Sequence, residues 1–385
     1  MLIIQNVLIH DLVNKEPYFG QVWVNGKHFY KITRDQCPLP DAEIIDATNL
    51  SIYPGFIDAH SHIGLDGFAI GYEGHDYCEL NDPVTPQLRA IDSLNPQDHC
   101  FELARKSGVT CVATGPGSAN AIGGLFTIVK TFGISADEMV VKDPAAMKCA
   151  FGENPKNCYR ENGISTRMTI AAEIRQALMK ARDYWQRKEA AGDDPLKKPP
   201  FDFKSESLIP LLRGDIPLKA HAHQANDILT ALRIAEEFHL RITLEHVTDG
   251  ALLTRILAQK NVPLAIGPSM MHASKYELKN KSFETPGLLA KAGCHVSIIT
   301  DAPFSPQEYL TLCARLAIRA GMDAYEALKS ITINPAAHLE IADRVGSIEV
   351  GKDADFVITD GDPLDPGTHV LKTFIDGTCC YNSEG

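Results

Sequence analysis

The sequence predicts an α/β protein, a (β/α)₈ TIM barrel with a small β-sandwich built from both chain termini, and three observations lead there. A length of 385 residues suits a barrel of ~250 residues plus a smaller unit. From Gly55 onward, short apolar segments alternate with helix-length ones, the pattern of a parallel sheet covered by helices. The two ends, by contrast, read as strands and turns.

Taken in order, the opening strands are LIIQNVLIHD, FGQVWVNGKHFYKIT with Asn25-Gly26 as a hairpin turn, and AEIIDATNLSIYPG. The eight barrel strands are expected at GFIDAHSHIG, VTCVATG, FTIVKTFG, AAMKCAFG, IPLKAHAHQ, RITLEHVTDG, VPLAIGP and HVSIITDAP. Among the connectors, NDILTALRIAEEFH has the strongest helical pattern, with Ile228, Leu232 and Ala235 recurring on one face behind an Asn226/Asp227 cap. The span 180–206, rich in Lys, Asp and Pro, is expected to be an exposed loop. SIEVGKDADFVITDG, HVLKTFIDG and TCCYN return to strands, so residues 1–52 and 345–385 are expected to form the sandwich beside a barrel of residues 53–344.

Composition narrows the function. With 44% hydrophobic and 22% charged residues, no apolar run approaches the ~20 residues of a membrane span. The first residues lack the basic start and small-residue cleavage site of a signal peptide, which places the protein in the cytoplasm. A net charge of -12 argues against a nucleic-acid partner and otherwise says little; the expected partner is a small-molecule substrate. Of the ten cysteines, Cys111, Cys149, Cys294 and Cys313 lie in apolar runs as reduced core residues, and Cys379 and Cys380 point to opposite faces of a strand.

The chemistry is carried by polar residues that end apolar strands. His60 and His62, two apart in Asp58-Ala59-His60-Ser61-His62, point the same way and can bind one metal. Lys219-Ala220-His221-Ala222-His223 and Leu244-Glu245-His246 repeat the theme. Two incidental histidines would still need partners in such a setting, and the recurrence points to metal, with His221 and His246 as ligands and His223 either supporting them from behind or facing substrate. Ile298-Ile299-Thr300-Asp301 ends the eighth strand. Ring closure would bring Asp301 beside His60 and His62, where it can touch a metal and act as general base; a helix cap is the competing use of such an aspartate. His272 and Lys275, in the loop after the seventh strand, are candidates for substrate contact, as is a lid made by residues 64–82.

These features, PGFIDAHSH, His221, His246, Asp301 and the closing TINPAAHLEIADRVGSIEVGKDADFVITDGDP, resemble the amidohydrolase superfamily over nearly the whole chain, and within it the imidazolonepropionase-like and prolidase-like members. The resemblance implies one or two divalent metal ions, with Zn²⁺ foremost, held by His60, His62, His221, His246 and Asp301. For members with two ions it implies a carboxylated lysine on the fourth strand. Lys148 fits that place, in an apolar strand where a bare ammonium is costly, with Glu153 as the alternative metal ligand. A homo-oligomer is also implied. The expected activity is hydrolysis of a C-N bond in a dipeptide or cyclic amide. The competing activities are imidazolone-ring opening and a mononuclear deaminase, the latter weakened because Gln224 stands where such enzymes carry the glutamate of HxxE. A catalytically silent scaffold is a further alternative, opposed by the retention of every proposed ligand.

Overall fold

The structure, a computed structural model, describes residues 1–35, 37 and 41–384. Two eight-stranded sheets organise them. The first takes β1 (Leu2–Ile9), β2 (Tyr18–Asn25), β3 (His28–Thr33), β4 (Glu43–Asp46) and β5 (Ser51–Pro54) from one end of the chain. The second holds β6 (Phe56–Ser61), β7 (Val109–Thr114), β8 (Ile122–Lys130), β9 (Val140–Ala150), β10 (Leu218–Ala222), β11 (Ile242–His246), β12 (Leu264–Ile266) and β13 (Val296–Ile298). From the other end, β14 (Phe356–Thr359), β15 (Val370–Ile375) and β16 (Thr378–Asn382) return to the first sheet.

The two termini meet where β14 pairs antiparallel with β5. β1 serves two partners: Leu2 to Gln5 lie beside β4, while Leu8 and Ile9 lie beside β5. The switch falls at a register shift between Ile4 and Val7, and Asn6 there has φ 59. Asn-type side chains tolerate that left-handed conformation better than branched ones. The two ends thus join in one continuous hydrogen-bonded sheet.

All eight expected barrel strands are present, in the order β13-β12-β11-β10-β9-β8-β7-β6. One differs in direction. β8 runs antiparallel to both β7 and β9, so the strand-helix alternation is broken there. The links explain it: residues 115–121 and 131–139 are short, the second holding only the helical turn Ala136–Met139. A parallel crossover needs roughly a dozen residues or more, whereas a hairpin does not.

The ring is drawn together between its last and first strands. His62 N donates to Ala302 O at 2.8 Å and Asp301 N to His60 O at 3.2 Å. Beneath them the buried carboxylate of Asp58 accepts Thr300 N at 3.1 Å, Thr300 Oγ1 at 2.6 Å and Gln307 Nε2 at 2.8 Å. These bonds set Asp301 next to the first-strand histidines.

The span 180–206 is not the loop expected from its composition. A helix, Arg167–Ala191, crosses the first half of it, capped by the Thr166 side chain and ending at Gly192. Ile170, Ile174, Leu178 and Ala181 form its buried face. Its charged residues are the outer face, with Lys180 paired to Asp202 at 2.7 Å and Lys188 to Glu206 at 2.5 Å. Only residues 192–202 link it to the next helix, Phe203–Arg213. The helix Ala225–Phe238 buries Ile228, Leu232 and Ala235 as its spacing predicts, but its cap position is Gln224. Asp227 is instead buried against Arg167 at 3.0 Å. Among the described residues no helix is long and apolar enough to cross a membrane.

Candidate functional site

β6 delivers His60, with His62 just beyond its end. β10 delivers His221 with His223 just beyond it, β11 ends in His246, and Asp301 follows β13 at φ 53. All are buried. Each of the five imidazoles is gripped at Nδ1: His60 by Glu245 Oε2 at 2.8 Å, His62 by Gly115 O at 2.7 Å and His246 by Gly267 O at 2.7 Å. His221 meets Ser118 Oγ at 2.7 Å and His223 meets Thr248 Oγ1 at 2.8 Å. A carbonyl or carboxylate can only accept, so Nδ1 carries the proton in His60, His62 and His246, which leaves Nε2 as a lone-pair donor. Among the described residues, Nε2 of His221 and of His246 is buried without a hydrogen-bond partner.

Two donor groups result, His60 with His62 and Asp301, and His221 with His223 and His246. Within each, the ligand atoms lie within 4.8 Å of one another. Burial, aided by neighbouring cations, holds the pKa of His60, His221 and His223 well below the ordinary imidazole value and lowers that of His246 to about 4. Burial would raise the Asp301 carboxyl, but His246, His62 and Lys148 outweigh it and hold it below the usual aspartate value. Neutral imidazoles with free lone pairs beside an ionised carboxylate are the donors a divalent metal requires, and the bonds at Nδ1 are those that orient such ligands. The residues fit a metal site.

Lys148 sits fully buried in β9, its Nζ donating to His60 Nε2 at 3.0 Å and lying 5.3 Å from the Phe126 ring centre. Burial lowers its pKa to about 8, against the opposing pull of Asp301 and Glu245. Its cross-strand neighbour Lys219 differs, donating to Glu245 Oε2 and Ala59 O, each at 2.9 Å.

A cavity of about 220 Å³ opens over these groups, reached by His62, His221, His223 and Asp301. Tyr77 and Lys275 line it too. The Tyr77 ring lies 5.1 Å from that of His62, whereas Tyr72, earlier in the same first-strand loop, is exposed. Lys275 contacts Glu277 Oε1 at 2.6 Å and Asn154 Oδ1 at 2.7 Å. Two expected residues stand apart from the donor groups. His272 is exposed and does not line the cavity. Glu153 is turned to the loop after β12, its Oε2 accepting Glu277 N at 3.2 Å. Gln224 also points away, accepting Arg167 at 2.7 Å, so that place supplies no carboxylate.

Sequence reasoning missed Glu245 as the residue holding His60 and Lys219. A carboxylate inside the apolar run RITLEH was the available signal, since it needs partners when buried. Thr248, just past the end of β11, gave no such signal.

Comparison with known proteins adds the family context. A sequence model described as the amidohydrolase family matches residues 198–380. The crystal structure of an amidohydrolase from Thermotoga maritima superposes with a TM-score of 0.96 at 41% identity, covering 99% of this chain and 100% of that one. Amidohydrolase tasK of Hapsidospora irregularis is 31% identical over 370 residues, 89% of this chain. An imidazolonepropionase of Bacteroides fragilis is 33% identical over 149 residues, 36% of this chain. The chain spans only about a third of the length of these two curated relatives, 37% and 34% respectively.

Proposed function

The chain belongs to the amidohydrolase family, and from that premise we propose that it hydrolyses a C-N bond in a small amide-like substrate, a dipeptide or a cyclic amide. The observation that carries this reading is the convergence of five buried imidazoles, each held at Nδ1, with Asp301, and of these His62, His221, His223 and Asp301 line one cavity. His60, His62, His221, His246 and Asp301 would hold one or two divalent ions, and an imidazole-rich set suits zinc. Carboxylated Lys148 would be the bridging ligand of a two-ion site. When bound, such a metal supplies a more acidic water and a polarised substrate carbonyl. Asp301 would accept a proton at its carboxylate and return it to the leaving nitrogen. Lys275 holds an anionic group of the substrate, and the 220 Å³ of the cavity restricts that substrate to a small molecule. In the same reading residues 1–52 and 345–385 form a sandwich beside the barrel of residues 53–344.

Imidazolone-ring opening is the second activity of this kind, favoured by the named relative. Deamination is disfavoured by Gln224, which is held by Arg167 away from the site. The test is a screen of the zinc-loaded protein against dipeptides, N-acyl amino acids, cyclic amides and aminated rings. Turnover of a dipeptide or a cyclic amide, abolished by a chelator and restored by zinc, is the expected result. Ammonia release from aminated rings alone would replace this reading with deamination, and a fully metallated protein inert to every class would favour the silent scaffold.

A further inference from the structure

We propose that His338, in the barrel interior away from the substrate cavity, is a positioning residue for the metal site: it steadies one oxygen of Glu245 so that the other stays on His60. The inference rests on the metal-dependent reading above and adds to it a residue from the closing stretch TINPAAHLEIADRV, which that reading does not use. Glu245 is wholly buried and its two oxygens are shared out. Oε2 accepts His60 Nδ1 at 2.8 Å and Lys219 Nζ at 2.9 Å, while Oε1 accepts Thr243 Oγ1 at 2.6 Å and faces His338 Nε2 at 3.3 Å. Burial would raise the Glu245 carboxyl, but Lys219, His338 and His60 outweigh it and hold it well below the usual glutamate value, so the group is an anion. The last torsion of a glutamate is soft. With Lys219 as its one firm charge partner, Oε2 could swing off His60; contacts on Oε1 set the rotation that keeps it there.

The fold delivers His338 from the segment that ties the ring together. His338 ends the helix Ile333–His338. Just before that helix, Ile331 O accepts Ile57 N at 2.8 Å and Ser330 O accepts Ile298 N at 2.9 Å. Inside it, Asn334 Nδ2 donates to Val296 O at 2.8 Å. β6, which carries His60, and β13, which leads to Asp301, are therefore both bonded to the segment that places His338.

The ring itself is costly where it stands. His338 is buried, burial keeps it neutral by lowering its pKa, and among the described residues neither of its nitrogens has a hydrogen-bond partner. An apolar side chain would occupy such a place at less cost. The 3.3 Å to Glu245 Oε1 is just beyond ordinary hydrogen-bond length, so the contact is electrostatic, and it favours the tautomer with the proton on Nε2. Neither His338 nor Glu245 lines the 220 Å³ cavity, and the space beside His338, about 10 Å³ bordered by Lys219 and Thr243, is far too small for a substrate. His338 thus acts through Glu245 and His60, the arrangement by which a carboxylate behind a histidine fixes its ring and strengthens it as a ligand. The rival account is that His338 merely packs the barrel interior.

Zn²⁺ affinity, titrated in a chelator buffer, separates the two accounts when it is measured beside the unfolding temperature of the metal-free protein in the parent, His338→Leu, His338→Asn and His338→Gln. His338→Leu fills the space without an N–H and should weaken Zn²⁺ binding by ~10–100-fold. His338→Asn, polar but too short to reach Oε1, should weaken it as much, and takes the place of His338→Leu if that variant does not fold. His338→Gln, whose amide nitrogen reaches where Nε2 stood, should recover most of the affinity. Parent affinity in His338→Leu or His338→Asn would overturn the inference, as would a His338→Gln no better than either, or affinities that follow the unfolding temperature instead of the reach of the amide. Each of these leaves the metal-dependent reading standing, whereas a parent that binds no Zn²⁺ takes down both.

Discussion

Two lysines on neighbouring strands, Lys130 at the end of β8 and Lys148 in β9, are both buried in the barrel and live in opposite electrostatic settings. Lys130 Nζ lies 2.6 Å from Asp355, 3.0 Å from Asp353 and 3.2 Å from Asp376. Burial alone would lower its pKa, but these carboxylates outweigh it and hold the ammonium above the ordinary lysine value. All three come from the C-terminal segment, so this cluster clamps the barrel to the terminal sheet. Among the described residues Lys148 has no such partner. Its contacts are a histidine nitrogen and an aromatic face, and its pKa falls to about 8. A buried charge that is fully paired marks a joint, and one left unpaired beside a convergent donor set marks a place built for something that arrives later.

The comparison can be broken most forcefully at the joint. Lys130→Met would leave Asp355 buried without its cation, while Asp353 keeps Arg344 at 2.8 Å and Asp376 keeps Lys27 at 3.3 Å, and loss of one partner of a buried ion pair costs ~3–5 kcal/mol. Denaturant unfolding should show that loss, while folded protein keeps its full metal content. A change no larger than that of a surface substitution would deny the cluster its role as a clamp.

At the other pole, Asp301→Asn keeps the shape of the side chain but removes the basicity. Turnover should fall by ~10²–10⁴-fold with metal largely retained, as expected for a lost general base. Near-normal turnover would remove Asp301 from the proton path. The smallest effect belongs to Lys27, which reaches the same Asp376 as Lys130, at 3.3 Å, but from the surface. Lys27→Ala should cost less than ~1 kcal/mol in unfolding free energy, because water screens an exposed pair. A cost equal to that of Lys130→Met would show that contact with Asp376, rather than burial, sets the energy.

What was legible in the sequence follows the same division. His60, His62, His221, His246 and Asp301 could be found because each interrupts or ends an apolar run, and the ring order of the strands then brings them together. Lys148 stood out for the same reason. The partners of Lys130 were hidden because they lie more than 220 residues away along the chain. The direction of β8 was missed because an apolar run has no direction, and the brevity of its two links was the only clue. The helix Arg167–Ala191 was obscured by its charges, which form a solvated face opposite a buried one. Thr248 depends on a loop path that no local pattern encodes.

The most direct test of the central claim is metal per chain in Lys148→Ala and Glu153→Ala, each reconstituted with and without bicarbonate. If Lys148 is the unpaired group that becomes a bridging carbamate, Lys148→Ala loses metal, regains part of it when short carboxylic acids stand in for the carbamate, and no longer responds to bicarbonate. Glu153→Ala, whose side chain accepts the Glu277 N–H at 3.2 Å, keeps its metal. Full metal in Lys148→Ala together with loss in Glu153→Ala would contradict the account.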